Sequence, residues 1–245
     1  MTESSDWLTL DNAAKIYPAS SSEESPQVFR LRCDFFEPIR YEPLRDALSA
    51  MMYRCPYYQV SLRRGLFWYF LQRHGEVPPI QLLDEESITQ IRVREDRDLL
   101  AVKVRGKRLA VDFSHILTDG AGALRFFLSL ITEYLRLRGE PVEPFDGFLD
   151  PRENPAPEEW VDAHKAHYVK VSPPPGDLGR AFHLPGTRPS PRYYRVITAR
   201  LELDDLRRIA KSSGVSMTEY LVTSYIYSLL QLRDENARRQ SPVIR

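Results

Sequence analysis

The 245-residue sequence predicts an α/β fold of the layered, α+β kind: a mixed, mostly antiparallel sheet flanked by helices. Three observations carry this. Segments 27–36 and 108–115 alternate apolar and polar residues with a period of two, the mark of strands with one buried face. Segments 41–54 and 119–137 space their apolar residues three and four apart, the mark of amphipathic helices. Short connections at Arg64-Gly65 and Gly106-Lys107 join consecutive strand-like runs, as hairpins do.

In chain order, residues 1–6 read as a frayed tail. Asp11 and Asn12 are placed to cap a short helix through Ile16, with Tyr17-Pro18 as its stop. The acidic segment 20–26 reads as an exposed loop. In the strand at 27–36, Phe29, Leu31, Cys33 and Phe35 point inward; Arg30, Arg32 and Asp34 point outward. Helix 41–54 buries Leu44, Ala47, Leu48, Met51 and Cys55 as one stripe. Runs 57–63 and 66–73 form the first hairpin, and Pro78-Pro79 interrupts the pattern. Segment 88–98 is ambiguous between strand and loop. Runs 99–104 and 108–115 form the second hairpin. The helix that follows presents Leu124, Phe127, Leu128, Ile131, Tyr134 and Leu135, and Gly139 ends it. Eleven of the 19 prolines fall in 141–191, a long connection with a short helical pattern at 160–171. A strand is expected at 193–203, then a helix from an Asp204 cap to Ser213, closed by Gly214. Ser216 and Glu219 make a capping box for a helix over 217–233. That helix is apolar on most sides and should be buried.

Composition narrows the class. The chain can bury a sizeable core and is long enough for one large domain or two small ones. Lys plus Arg and Asp plus Glu number 34 each, so no net basic field recruits nucleic acid or an anionic membrane. The two cysteines, Cys33 and Cys55, read as small core residues, which suits a reducing, cytoplasmic setting. No basic-then-apolar signal pattern opens the chain, and the longest apolar run, 220–232, is interrupted by Thr223, Ser224 and Ser228.

The chemistry concentrates at 108–137. Leu109, Val111, Phe113 and His115 alternate with Ala110, Asp112 and Ser114, so His115 closes the inward row of a strand. Asp119 then opens a helix whose first turn is Gly120, Ala121, Gly122 and Ala123. Each Gly there costs about 1 kcal/mol relative to Ala, and what the glycines supply is space beside the backbone.

His-x-x-x-Asp-Gly at a strand end, His115 to Gly120, resembles the active-site motif of the CoA-dependent acyltransferase superfamily. That group includes chloramphenicol acetyltransferase, the plant BAHD acyltransferases, peptide-synthetase condensation domains and alcohol acetyltransferases. The run Trp7-Leu8-Thr9-Leu10-Asp11-Asn12-Ala13-Ala14-Lys15-Ile16-Tyr17-Pro18 resembles the opening of the alcohol acetyltransferase and condensation-like branch. Ser190-Pro191-Arg192-Tyr193-Tyr194 resembles that branch too. Condensation domains usually carry a second His before the motif. Here the position is Ser114, which points towards O-acylation.

The resemblance implies a chloramphenicol-acetyltransferase-like lobe over residues 1–140, a Pro-rich connection over 141–192 and the beginning of a second lobe over 193–245. It implies an acyltransferase with His115 as general base, moving an acyl group from a thioester to an alcohol acceptor. Imidazole suits the role because its pKa lies near the working pH. The donor would be acyl-CoA or an acyl chain on a carrier protein's pantetheine arm; the acceptor would be a small alcohol or amine. No metal and no bound cofactor are required. Asp119 would be structural, capping the helix, and Gly120 would leave room for the donor. For Gly122, close helix-on-sheet packing is the preferred reading. In the family the oxyanion donor lies in the second lobe, so the isolated chain is expected to have little or no activity. Its exposed apolar surface should take the missing C-terminal lobe or a second copy. Two competing readings are a degenerate, non-catalytic binding module and a condensation-type amide-forming domain.

Other candidates are weaker. His164 and His167 sit three apart but lack further ligands at metal-site spacing. His74 and His183 lie in loop-like context. Arg63, Arg64, Arg92 and Arg94 have Phe67, Trp68 and Tyr69 as neighbours, yet a nucleic-acid groove brings net positive charge, which is absent. No phosphate-cradling Gly-rich loop and no Gly-x-Ser-x-Gly elbow occurs.

Overall fold

The alternating and helical patterns fold as strands and helices in a computed structural model that describes residues 7–21, 27–83, 99–170 and 199–232. The predicted segments 22–26, 88–98 and 193–198 lie outside the described residues, as do His183, Arg92, Arg94 and the Ser190 to Tyr194 run. The chain divides into two compact units, Met1–Val169 and Lys170–Arg245. The first contains β1 (Trp7–Thr9), α1 (Ile16–Ser20), β2 (Val28–Asp34), α2 (Tyr41–Arg54), β3 (Val60–Arg64), β4 (Tyr69–Arg73), β5 (Ile80–Leu82), β6 (Leu100–Arg105), β7 (Arg108–Ser114), α3 (Gly120–Leu137) and α4 (Ala163–Ala166). The second contains α5 (Leu203–Ser212) and α6 (Met217–Gln231).

The larger sheet has the order β2-β7-β6-β5. β7 lies between β2 and β6 and is antiparallel to both, whereas β5 joins β6 in parallel, so the sheet is mixed as the sequence predicts. The β2–β7 ladder runs unbroken from Val28 opposite Ser114 to Asp34 opposite Arg108. Gly106 forms the β6–β7 turn at φ +58°, a conformation that a side chain disfavours. Phe29, Leu31 and Cys33 of β2 and Leu109, Val111 and Phe113 of β7 face α2 and α3. Their partners on those helices include Leu44, Leu48, Met51, Phe126, Leu130 and Tyr134, and this is the main core. The Tyr134 hydroxyl accepts the Arg40 N–H at 3.1 Å and so fixes the entry to α2.

The sheet's other face carries charge, and one charge is buried. Asp112 is 1% exposed. Arg30 donates to both its carboxylate oxygens at 2.5 and 2.9 Å, and Lys103 Nζ lies at 2.8 Å. The pairing is cross-strand, Arg30 standing directly opposite Asp112. A buried carboxylate persists only with such partners.

The strands divide between two sheets. The first hairpin pairs with β1 in a separate three-stranded sheet, β1-β4-β3. Its connection is not the two residues expected but the four-residue turn 65–68, closed by the Gly65 N–H to the Trp68 carbonyl at 2.7 Å. A smaller core of Leu10, Ala14, Val60, Leu62, Leu71, Leu99 and Ile116 lies against this sheet.

Three expectations need correction. Asp11 does cap a turn, accepting the Ala14 N–H at 2.6 Å, but α1 starts at Ile16 and runs through Tyr17-Pro18. Proline fits there because a first-turn N–H has no intrahelical acceptor. In α3 the buried face is centred on Ala123, Phe126, Phe127, Leu130 and Tyr134, with Ser129 and Thr132 also buried. Leu124 and Leu128 are 47% and 38% exposed, because α3's apolar arc is wider than the surface it covers. The described part of the pattern at 160–171 is a 3₁₀ turn at Pro157–Trp160 followed by the single-turn α4.

In the second unit, residues 199–202 lie outside any strand, and α5 begins at Leu203 with Glu202, not Asp204, at its cap. The Ser216 and Glu219 capping box forms as read, with bonds of 3.2 and 2.7 Å. Contrary to expectation, α6 has no buried residue. Leu221, Val222, Tyr225, Ile226 and Tyr227 are 39–64% exposed. Among the described residues of that unit α5 is the only other helix, and one neighbour cannot cover an all-round apolar surface. No helix among the described residues is long and apolar enough to cross a membrane.

Candidate active site

The end of β7 is turned by Ser114. Its N–H bonds the Leu99 carbonyl at 2.9 Å, and its buried hydroxyl accepts the Ile116 N–H at 3.2 Å. Its carbonyl accepts from Leu117 and Thr118 at 2.9 and 3.4 Å. A small hydroxyl residue at this position therefore builds the reversal that follows His115.

His115 sits at the apex. Its N–H reaches the Gln27 carbonyl at 3.0 Å, one residue beyond the β2–β7 ladder, with Gln27 at φ +53°. The imidazole lies between two rings. Tyr17 of α1 stacks on it at 5.2 Å and 16°, and Phe29 of β2 lies at 4.5 Å and 38°. His115 remains partly exposed. The next two side chains anchor the loop: Ile116 is buried in the smaller core, and Leu117 packs against both cores.

Thr118 and Asp119 then build the helix start. The Tyr58 hydroxyl donates to Thr118 Oγ1 at 3.1 Å. Burial pushes that phenol above its ordinary pKa, so it stays a donor. Asp119 Oδ1 accepts the Gly122 N–H at 2.8 Å, the N-cap bond expected from the sequence. The two glycines differ. Beside Gly120 a Cβ would meet nothing within 4 Å. At Gly122 a Cβ would collide with Thr118 Oγ1 and lie 3.3 Å from Asp119 Oδ1 and 3.7 Å from the Tyr58 hydroxyl. Gly122 is thus required by close packing against the capping turn, and Gly120 leaves open space.

A second polar cluster closes the first unit. Arg54, 5% exposed, donates to both oxygens of Glu159 at 2.9 and 2.8 Å. The Tyr57 hydroxyl and the Ala156 N–H add bonds of 2.6 and 3.1 Å to the same carboxylate. The Arg54 bond, opposed by burial and helped by Tyr57, lowers the Glu159 pKa to about 2. The Arg73 guanidinium lies 4.5 Å over the Trp160 ring. Neighbouring Cys55 is pushed up to about 11 by burial, which makes it an inert thiol. His164 and His167 lie exposed on and just after α4. Among the described residues no group of three or more His, Cys, Asp or Glu could hold a metal ion.

His115 and Asp119 thus lie on the loop from β7 to α3 and Gly120 opens α3, while Tyr17, Phe29, Tyr58 and Thr118, to which the sequence assigns no role at the site, pack about this segment. The antiparallel register could have placed Phe29 beside His115. Nothing in the spacing of residues 7–18 marks Tyr17.

No family model matches the chain, and no curated protein matches it. Solved structures do. The chain is similar to the condensation domain from the Monacolin K polyketide synthase MokA, with TM-score 0.55 and 16% identity, over 93% of this chain and 60% of that one. It is also similar to the X-domain from teicoplanin biosynthesis, with TM-score 0.49 and 11% identity, over 70% of this chain and 42% of that one. A third likeness is to polyketide synthase associated protein 5 from Mycobacterium tuberculosis, with TM-score 0.45 and 16% identity, over 64% and 38%. The chain spans at most 60% of the length of these structures. The first likeness shows the fold: a mixed α/β architecture of two sheets with helices, matching part of a condensation domain.

Proposed function

We propose that the chain belongs to an acyltransferase in which His115 is the general base and a thioester is the acyl donor. The observation that carries this is the placement of His115. It is a partly exposed imidazole at the end of a central strand, held between Tyr17 and Phe29, on the loop that leads into a capped helix. Two ring contacts and a fixed backbone N–H restrict the imidazole's orientation, which a base needs for in-line proton transfer. Asp119 spends its carboxylate on the cap and is not the acid of a triad.

The chemistry balances simply. A ring nitrogen of His115 takes the proton of the acceptor hydroxyl as its oxygen attacks the thioester carbonyl carbon. The tetrahedral intermediate collapses, the C–S bond breaks, and the departing thiolate receives the proton from the imidazolium. Beside Gly120, where a Cβ would meet nothing within 4 Å, the donor has room to approach the backbone.

An amine acceptor is the second reading, supported by the likeness to a condensation domain. Free-thiol release from acyl-CoA donors, with matched alcohols and amines as acceptors, separates the two. It is measured on this chain and on a form that also carries a second lobe. His115→Ala is expected to lower turnover by about 10²–10⁴-fold, the range of a lost general base. Turnover indifferent to His115→Ala would refute the assignment. Thioester binding without turnover in both forms would favour a non-catalytic module.

A further inference from the structure

The tip of the β3–β4 hairpin takes no part in the site above. Its turn exposes three bulky apolar side chains in succession: Leu66 is 95%, Phe67 88% and Trp68 63% exposed. The turn is well formed, closed by the Gly65 N–H to the Trp68 carbonyl at 2.7 Å. The apolar surface continues along the outward face. Trp7 of β1, half exposed, meets Phe70 of β4 edge-on at 6.4 Å.

Within the hairpin itself the charge has one sign. Residues 59–73 contain Arg63, Arg64 and Arg73 and no Asp or Glu, and β1 adds no charge. Arg73 is engaged over Trp160, whereas Arg63 and Arg64 end the strand that leads into the tip. Arg63 is steadied by its Nε–H bond to Gln72 Oε1 at 2.9 Å. The chain's balanced net charge conceals this local concentration.

From this arrangement we propose that the 65–68 turn is a membrane-surface anchor that inserts Leu66, Phe67 and Trp68 into the interface of a bilayer carrying anionic headgroups. The convex shape favours this occupant. A projecting finger of Leu, Phe and Trp suits penetration of a soft interface, where aromatic rings are favoured. Arg64 and Arg63, two and three residues behind Leu66, then lie at headgroup level, where each adds attraction to acidic lipid.

The test is co-sedimentation of the full chain with phosphatidylcholine vesicles, with and without phosphatidylserine, read together with tryptophan emission. Binding to the phosphatidylserine vesicles and a blue shift are expected. Phe67→Ser with Trp68→Ser should weaken partitioning by about tenfold or more, as expected from the apolar area they would bury. Each of Arg63→Gln and Arg64→Gln should weaken it by about fivefold on the acidic vesicles only. These side chains are largely at the surface, and unchanged far-UV circular dichroism verifies that the variants fold. Sedimentation that survives the double tip variant overturns the proposal. So does a wild-type chain that ignores both vesicles, including one that self-associates through the tip and becomes monomeric when it is altered.

Discussion

Gly122→Ala and Gly120→Ala separate the tightly packed glycine of the α3 start from the open one. On helix propensity alone the change should stabilise α3 by about 1 kcal/mol. The structure reverses the sign. The new methyl group collides with Thr118 Oγ1, which accepts the Tyr58 hydroxyl at 3.1 Å. Thr118 must rotate, and the Tyr58 hydroxyl is left buried without its partner, which costs about 1–3 kcal/mol. Crowding against Asp119 Oδ1 adds to the cost, since overpacking is typically worth about 1–3 kcal/mol. A net loss of about 1–5 kcal/mol is expected after the propensity gain. Gly120→Ala meets nothing within 4 Å and should keep the propensity gain, stabilising by up to about 1 kcal/mol. Urea unfolding followed by tryptophan emission is the assay, because Trp7, Trp68 and Trp160 all lie in the first unit. Repeating Gly122→Ala in a Thr118→Ala background isolates the clash, because Tyr58 has then already lost its acceptor. The extra cost of the alanine should largely vanish. An undiminished cost there, or no cost in the parent, refutes the packing argument.

Asp112→Ala should lose about 3–5 kcal/mol, because Arg30 and Lys103 would keep their charges without the buried carboxylate. Combined Arg30→Met, Lys103→Met and Asp112→Leu should recover most of it in the same urea assay. Glu159, with its folded pKa lowered to about 2 by Arg54, contributes stability that is fully present above its unfolded value near 4.5 and lost as pH falls through 2. The contribution is at most on the order of 3 kcal/mol. Glu159→Gln should flatten the pH dependence of the urea midpoint between those values, and a profile unchanged by that substitution would refute the link.

Legibility followed periodicity. β2, β7 and α2 were readable because each presents one buried row at its own period, and a seven-residue ladder or four helical turns leave no alternative register. β1 and β5, three residues each, have no period to read and exist through their pairing with β4 and β6. The burial of Ser129 and Thr132 shifted the inner face of α3 away from a reading based on apolar residues alone. At the site, Asp119 was legible because capping is local chemistry, and its bond to Gly122 N–H is as expected. The stacking of Tyr17 on His115 joins residues 98 positions apart, and no local signal encodes such a contact.

Ile116 and Leu117 give the loop a property that neither core has by itself. With one side chain committed to the smaller core and the next shared between both, the segment acts as a rivet. The smaller sheet cannot open as an independent cooperative unit without drawing His115 out of register, so local breathing and displacement of the imidazole are one event. Amides of this exposed-looking turn should therefore exchange with solvent as slowly as interior strands do. Natural variation confined to the β1-β4-β3 sheet would tune the imidazole from a distance.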